Sequence, residues 1–162
     1  MELLWLRSLH VLGAVALLGV GLGSAFHLWW ASRNAAAPVV AEVARAVVWA
    51  DWLFIAPAVL LQPLTGLFLA LELGHPLDSD WLVAAIGLYL LAGACWLPVV
   101  GLQMRIARLA KRDAGLGQPL CAEVRRLLRI WFWLGWPAFG AVLVIVHLMI
   151  FRPDGWLPGM GS

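Results

Sequence analysis

Three observations predict an all-α integral membrane protein folded as a four-helix bundle. First, 64% of the 162 residues are hydrophobic and 12% are charged, whereas soluble domains are about half apolar and roughly a quarter charged. Second, four apolar stretches are long enough to cross a hydrocarbon layer about 30 Å thick, which takes about 20 residues of helix. Third, the basic residues gather in one interhelical loop. A formal net charge of +2 gives no argument for a nucleic-acid partner.

The expected spans are 3–30, 46–73, 81–104 and 130–151, and together they make residues 1–162 a single domain. The loop after the third span holds Arg105, Arg108, Lys111, Arg112, Arg125, Arg126 and Arg129, seven of the eleven basic residues. The loop 74–80 has none and carries Asp78 and Asp80, while the first loop has Arg33 and Arg45. Basic loops stay in the cytoplasm. The expected topology is therefore a multi-pass protein of the bacterial inner membrane with both termini periplasmic. The segment 120–129 is expected as a short amphipathic helix on the inner leaflet. Cys95 lies in an apolar run and Cys121 in a polar loop, so they make no disulfide framework or metal pair.

Most of the eleven tryptophans fall at span ends as an aromatic belt: Trp29, Trp30, Trp49, Trp52, Trp131 and Trp133 inside, Trp5, Trp81 and Trp156 outside. Trp96 and Trp136 lie deeper and require a packing or functional role. Polar residues within the spans are costly, so the face they share is informative. On a regular helix Asp51, Gln62, Thr65 and Glu72 fall within about 80° of one another. Tyr89, Gly93, Trp96 and Gln103 form a second stripe. His10, Gly13, Ala14, Gly21 and Ser24 form a third, interrupted by Leu17, and Arg129, Trp133, Trp136, Gly140 and His147 form a fourth. Pro57, Pro63, Pro98 and Pro137 are expected to kink their helices and free carbonyls for neighbouring side chains.

His10 lies about 10 Å and His147 about 6 Å inside the same membrane face, counting 1.5 Å per residue. Two imidazoles on facing helices at similar depth are the donor set of a b-type haem. Ala14 and Gly140 leave room inward of them for a flat macrocycle, and Arg7 and Arg152 lie outward where propionates would emerge. The plain alternative is that each histidine hydrogen-bonds a backbone carbonyl or the Glu72 carboxylate. His75, in the outer loop, is a substitute for His147 as iron ligand. His27, near the inner end, is a candidate partner of Asp51 in a proton or quinone site. No hydrolase, nucleotide or zinc-protease motif is present, and no catalytic residue is assigned.

The opening Leu4-Trp5-Leu6-Arg7-Ser8-Leu9-His10-Val11 resembles the start of HemJ-type protoporphyrinogen oxidases and CopD-like membrane proteins. That resemblance implies a haem-bearing four-helix bundle with His10 as an axial ligand. The chain departs from HemJ in having no intramembrane lysine, Lys111 being its only one, which bears against porphyrinogen oxidation. Asp51-Trp52-Leu53-Phe54, Gln62-Pro63-Leu64-Thr65-Gly66, Ala94-Cys95-Trp96-Leu97-Pro98 and Gly135-Trp136-Pro137-Ala138-Phe139 resemble an uncharacterised bacterial family of predicted integral membrane proteins. This likeness runs along nearly the whole chain and implies no activity.

The first functional expectation is a haem b redox protein with His10 and His147 on the iron. Tyr89, Trp96 and Gln62 would line the cofactor or a quinone cleft, and electrons would pass to a quinone, a porphyrin-like small molecule or a soluble redox partner. The second is a copper or small-solute transporter using His10, His147, Met149 and Met160, with the Asp51-Gln62-Thr65-Glu72 stripe as a path; four spans would then require a homo-oligomer. The third is a non-catalytic anchor docked through the basic third loop. All three place the protein in contact with membrane lipid.

Overall fold

The computed structural model describes residues 1–153, which are helical throughout apart from short connections. Trp156 and Met160 lie outside the described residues. The helices are α1 (Glu2–Asn34), α2 (Ala37–Ala50), α3 (Ala56–Glu72), α4 (Asp80–Gly115) and α5 (Ala122–Phe151), with a π-helical turn, Asp51–Ile55, joining α2 to α3. α2, the π turn and α3 run on as one span, so four segments are long and apolar enough to cross a membrane. At 1.5 Å per residue the 36-residue α4 is about 54 Å long, so its charged C-terminal third extends beyond a hydrocarbon layer of about 30 Å.

Local chemistry sets the ends. Leu73-Gly74-His75-Pro76 and Leu116-Gly117-Gln118-Pro119 close α3 and α4 in the same way. Gly74 and Gly117 take left-handed φ values of 68° and 64°. The His75 N–H then reaches the Ala70 carbonyl and the Gln118 N–H the Asp113 carbonyl, which uses acceptors a helix end leaves open. Proline follows each turn and stops the helix from resuming. Pro38, in the first turn of α2, starts that helix at little cost because its missing N–H would have had no partner.

The densest core lies at the end of the bundle that carries the basic turn. Leu28 of α1, Val40, Ala44 and Val47 of α2, Val99, Ile106 and Ala110 of α4, and Val124, Leu127 and Trp131 of α5 pack there. A smaller cluster at the opposite end joins Ala70, Trp81, Leu82, Ala85 and Leu148. Buried positions on α5 (Val124, Leu127, Trp131, Ala141, Leu148) follow a three-four spacing, as do those on α4 from Leu82 and Ala85 to Ile106 and Ala110. That spacing is the seam of two long helices lying along one another. Leu60, Leu64 and Phe68 of α3 and Leu90 and Leu97 of α4 are exposed. Apolar side chains in such numbers outside the fold are a lipid-facing surface.

Several expectations are corrected. The segment 120–129 is no separate surface helix; it is the first turns of α5, because Val124 and Leu127 extend the α4–α5 seam without a break. The second span begins nine residues earlier than position 46, at Ala37. Trp131 and Trp81 are core residues rather than belt, whereas Trp136 is exposed and meets Phe132 edge-on at 6.1 Å. The fourth polar stripe faces outward: Arg129, Trp133, Trp136 and His147 are all exposed, since the seam occupies the other side of α5.

Candidate functional site

His10 is held by α3. Its Nδ1 lies 2.8 Å from the Thr65 hydroxyl, and Thr65 in turn donates to the Leu61 carbonyl one turn back at 2.7 Å. A threonine hydroxyl has a single proton. If that proton stays on Leu61, Thr65 Oγ1 accepts from His10 and the imidazole carries its hydrogen on Nδ1. Nε2 has no hydrogen-bond partner among the described residues. The ring rests against Gly66, where a Cβ would come 3.1 Å from Cε1. Gln62 donates from Nε2 to the His10 carbonyl at 2.8 Å, and fits only because Gly13 has no Cβ to collide with its amide. Three consecutive features of α3 (Gln62, Thr65 and Gly66) therefore fix one histidine of α1. The plain alternative for His10 fails in its detail, since the partner is a hydroxyl and not a carbonyl or Glu72.

Tyr89 bridges two helices. Its hydroxyl donates to the Val59 carbonyl. Pro63 has no N–H to offer the residue four positions earlier, which leaves Val59 without its helical donor. Tyr89 repairs the gap and ties α4 to α3.

The π turn separates residues that a regular helix would align. Its extra residue closes an i→i+5 bond from the Ala56 N–H to the Asp51 carbonyl. Pro57, unable to bond Leu53 in the α pattern, suits this turn. Asp51 is consequently turned to α4, where Gln103 is its neighbour, while Gln62 and Thr65 face α1. Glu72 is exposed. The single polar stripe expected on span two is thus two sites. His27 is exposed and has no contact with Asp51, so the expected His27–Asp51 pair does not form. Trp96 is half-buried on the α4 seam, seven residues from both Tyr89 and Gln103.

The remaining candidates cluster at the end of the bundle away from the basic turn. His147 is exposed, its ring 4.3 Å from Phe151 of its own helix. Arg152 donates to His75 Nε2 at 2.9 Å and lies over Trp81. His75 therefore accepts at Nε2, and Arg152, exposed at the end of α5, lies beside it. Arg7 is exposed. Ala14 is half-buried, and Gly140 has nothing within 4 Å of where a Cβ would be.

Tested against a haem, the donor set fits at one axial position. A neutral imidazole whose Nδ1–H is held by a neighbouring oxygen and whose Nε2 is unpartnered has the ring orientation and free nitrogen that a metal-bound histidine needs. At the other position His147 faces away from the α4–α5 seam, and no contact joins its ring to His10. No group of three or more His, Cys, Asp or Glu side chains suited to a metal ion occurs among the described residues.

No curated protein and no solved structure matches the chain. One family does: that of the predicted integral membrane proteins DUF2269 matches residues 4–153. Its match covers all four spanning segments built above, and the chain belongs to this family.

Proposed function

We propose that the protein is a haem b-binding redox protein of the bacterial inner membrane with His10 as an axial ligand. The observation that carries this reading is the His10–Thr65 hydrogen bond, which fixes Nδ1–H and leaves Nε2 available. Haem would supply one-electron chemistry, at a potential set by axial ligation and burial. The chain's own residues do the positioning. Thr65 sets the tautomer and plane of the ring, Gly66 gives it space, and Gln62 anchors the α1 backbone at the same residue. Arg7, exposed at the same end, offers charge to anionic substituents. His147 lies on α5 at that end but is exposed on the side away from the seam, so His10 is the one ligand that the packing would supply. The arginines at the α4–α5 turn support an orientation with both termini periplasmic, and a quinone or soluble electron partner belongs to the same reading.

The test is an absorption spectrum of protein purified from haem-replete cells, oxidised and then dithionite-reduced. A Soret and alpha-band pair that is lost in His10→Ala is expected. Bis-imidazole bands that change in His147→Ala assign the second ligand; bis-imidazole bands unchanged by that substitution assign it to another histidine, His75 at the same end. A colourless preparation would overturn the reading.

A further inference from the structure

Asp51 and Gln103 are the buried polar pair that the haem reading does not use. Asp51 is 5% and Gln103 4% exposed. Gln103 is the side chain of α4 that interacts with the Asp51 carboxyl, and only its amide N–H can donate to a carboxylate. Among the described residues three buried side-chain atoms have no hydrogen-bond partner: the Trp29 Nε1–H on α1, and two oxygens of this pair, Asp51 Oδ2 and Gln103 Oε1. With the carboxyl ionised both are acceptors, so two buried oxygens on neighbouring side chains lack a hydrogen. An isolated carboxylate out of water is costly unless a cation compensates it. None does. On the elements around the π turn, His27 is exposed and Arg33 stacks on Trp29. Arg45 pairs with Glu42, Arg105 pairs with Glu123, and Glu72 is exposed.

We infer that Asp51 and Gln103 form a buried proton-holding site, in which Asp51 is the neutral acid and donates Oδ2–H to Gln103 Oε1. One proton satisfies both orphaned oxygens. The Gln103 amide donates to the remaining carboxyl oxygen, and the two side chains close a ring of reciprocal hydrogen bonds. The π turn creates the site, because it aims Asp51 at α4 and away from the Gln62–Thr65 face. A carboxyl that holds an exchangeable proton inside a span is the element a proton-coupled redox or transport step requires. The assignment is independent of haem binding.

The experiment is infrared spectroscopy of the whole protein in lipid nanodiscs at neutral pH, with carboxyl-labelled aspartate. A protonated-acid carbonyl band is expected that carries the isotope shift, moves in heavy water and is missing from Asp51→Asn. Thermal melting gives a second readout. Asp51→Asn keeps a donor for Gln103 Oε1 and is expected to leave the midpoint unchanged in sodium, potassium or choline chloride. Absence of the band from wild-type protein overturns the proposal. So does a midpoint raised by sodium or potassium over choline in the wild type and not in Asp51→Asn, which would identify a cation between the two oxygens.

Discussion

His10 shows how a side chain's chemistry is set by what lies one helix away. The same imidazole on a bare helix would sample both tautomers, and Thr65 selects one because its own proton is held by Leu61. Thr65→Val preserves shape and removes the acceptor. It is expected to lower haem affinity roughly 10–100-fold, the usual effect of losing a metal ligand's outer partner, measured by titrating haem into the apo-protein. Nitrogen NMR of the His10 ring gives a readout independent of haem: a single Nδ1–H form in the wild type, a mixture in Thr65→Val. His147 shows the converse. Leu148 occupies the α5 seam, so the adjacent residue, about 100° round the helix, is turned from it. Depth alone placed the two histidines together, and depth does not specify azimuth.

At the scale of elements, the prolines of the second span do opposite things. Pro57 accompanies a π turn that re-aims Asp51, while Pro63 leaves a carbonyl that Tyr89 satisfies. Tyr89→Phe is expected to destabilise the protein by about 1 kcal/mol, as befits an interhelical bond whose loss orphans a carbonyl. In a Pro63→Ala background the restored N–H serves Val59, and the cost of Tyr89→Phe should vanish. A double-mutant cycle on detergent unfolding measures this, and equal costs in both backgrounds would refute the repair. The α4 stripe was legible because Tyr89, Trp96 and Gln103 are spaced by sevens, the repeat of the seam itself. The aromatic and histidine stripe of α5 faces lipid, because Val124, Leu127, Trp131 and Leu148 put the packing seam on the other side of that helix.

The whole molecule is held together chiefly at its basic end, where α2, α4 and α5 converge, and the turn between α4 and α5 is locked there. Asp113, 2% exposed, accepts from the Cys121 N–H at the start of α5 at 2.8 Å and from Arg112 on its other oxygen. These donors, the Cys121 N–H first, hold its carboxyl below the usual carboxylate range. A depressed value means that the turn's stabilisation is complete above the unfolded carboxylate's pKa of about 4. It is lost only as pH falls through the lower, folded value. Limited proteolysis at residues 116–121 should therefore stay constant from neutral pH down to about 4 and rise below it. Asp113→Ala should be cleaved readily at every pH.

Composition and run length alone determined that this chain is a membrane bundle of four helical spans, because crossing hydrocarbon leaves a backbone few choices. The glycine-proline turns that end α3 and α4 are equally local. The tertiary structure decided which polar residues meet. A π turn rotates everything beyond it, and the α4–α5 seam assigns one side of each helix to packing. Those rotations put Thr65 on His10 and Asp51 on Gln103, and they left His147 and His27 outside. Spacing along a single helix carries no record of a neighbour's azimuth, so pairs such as these are fixed only when the helices have packed.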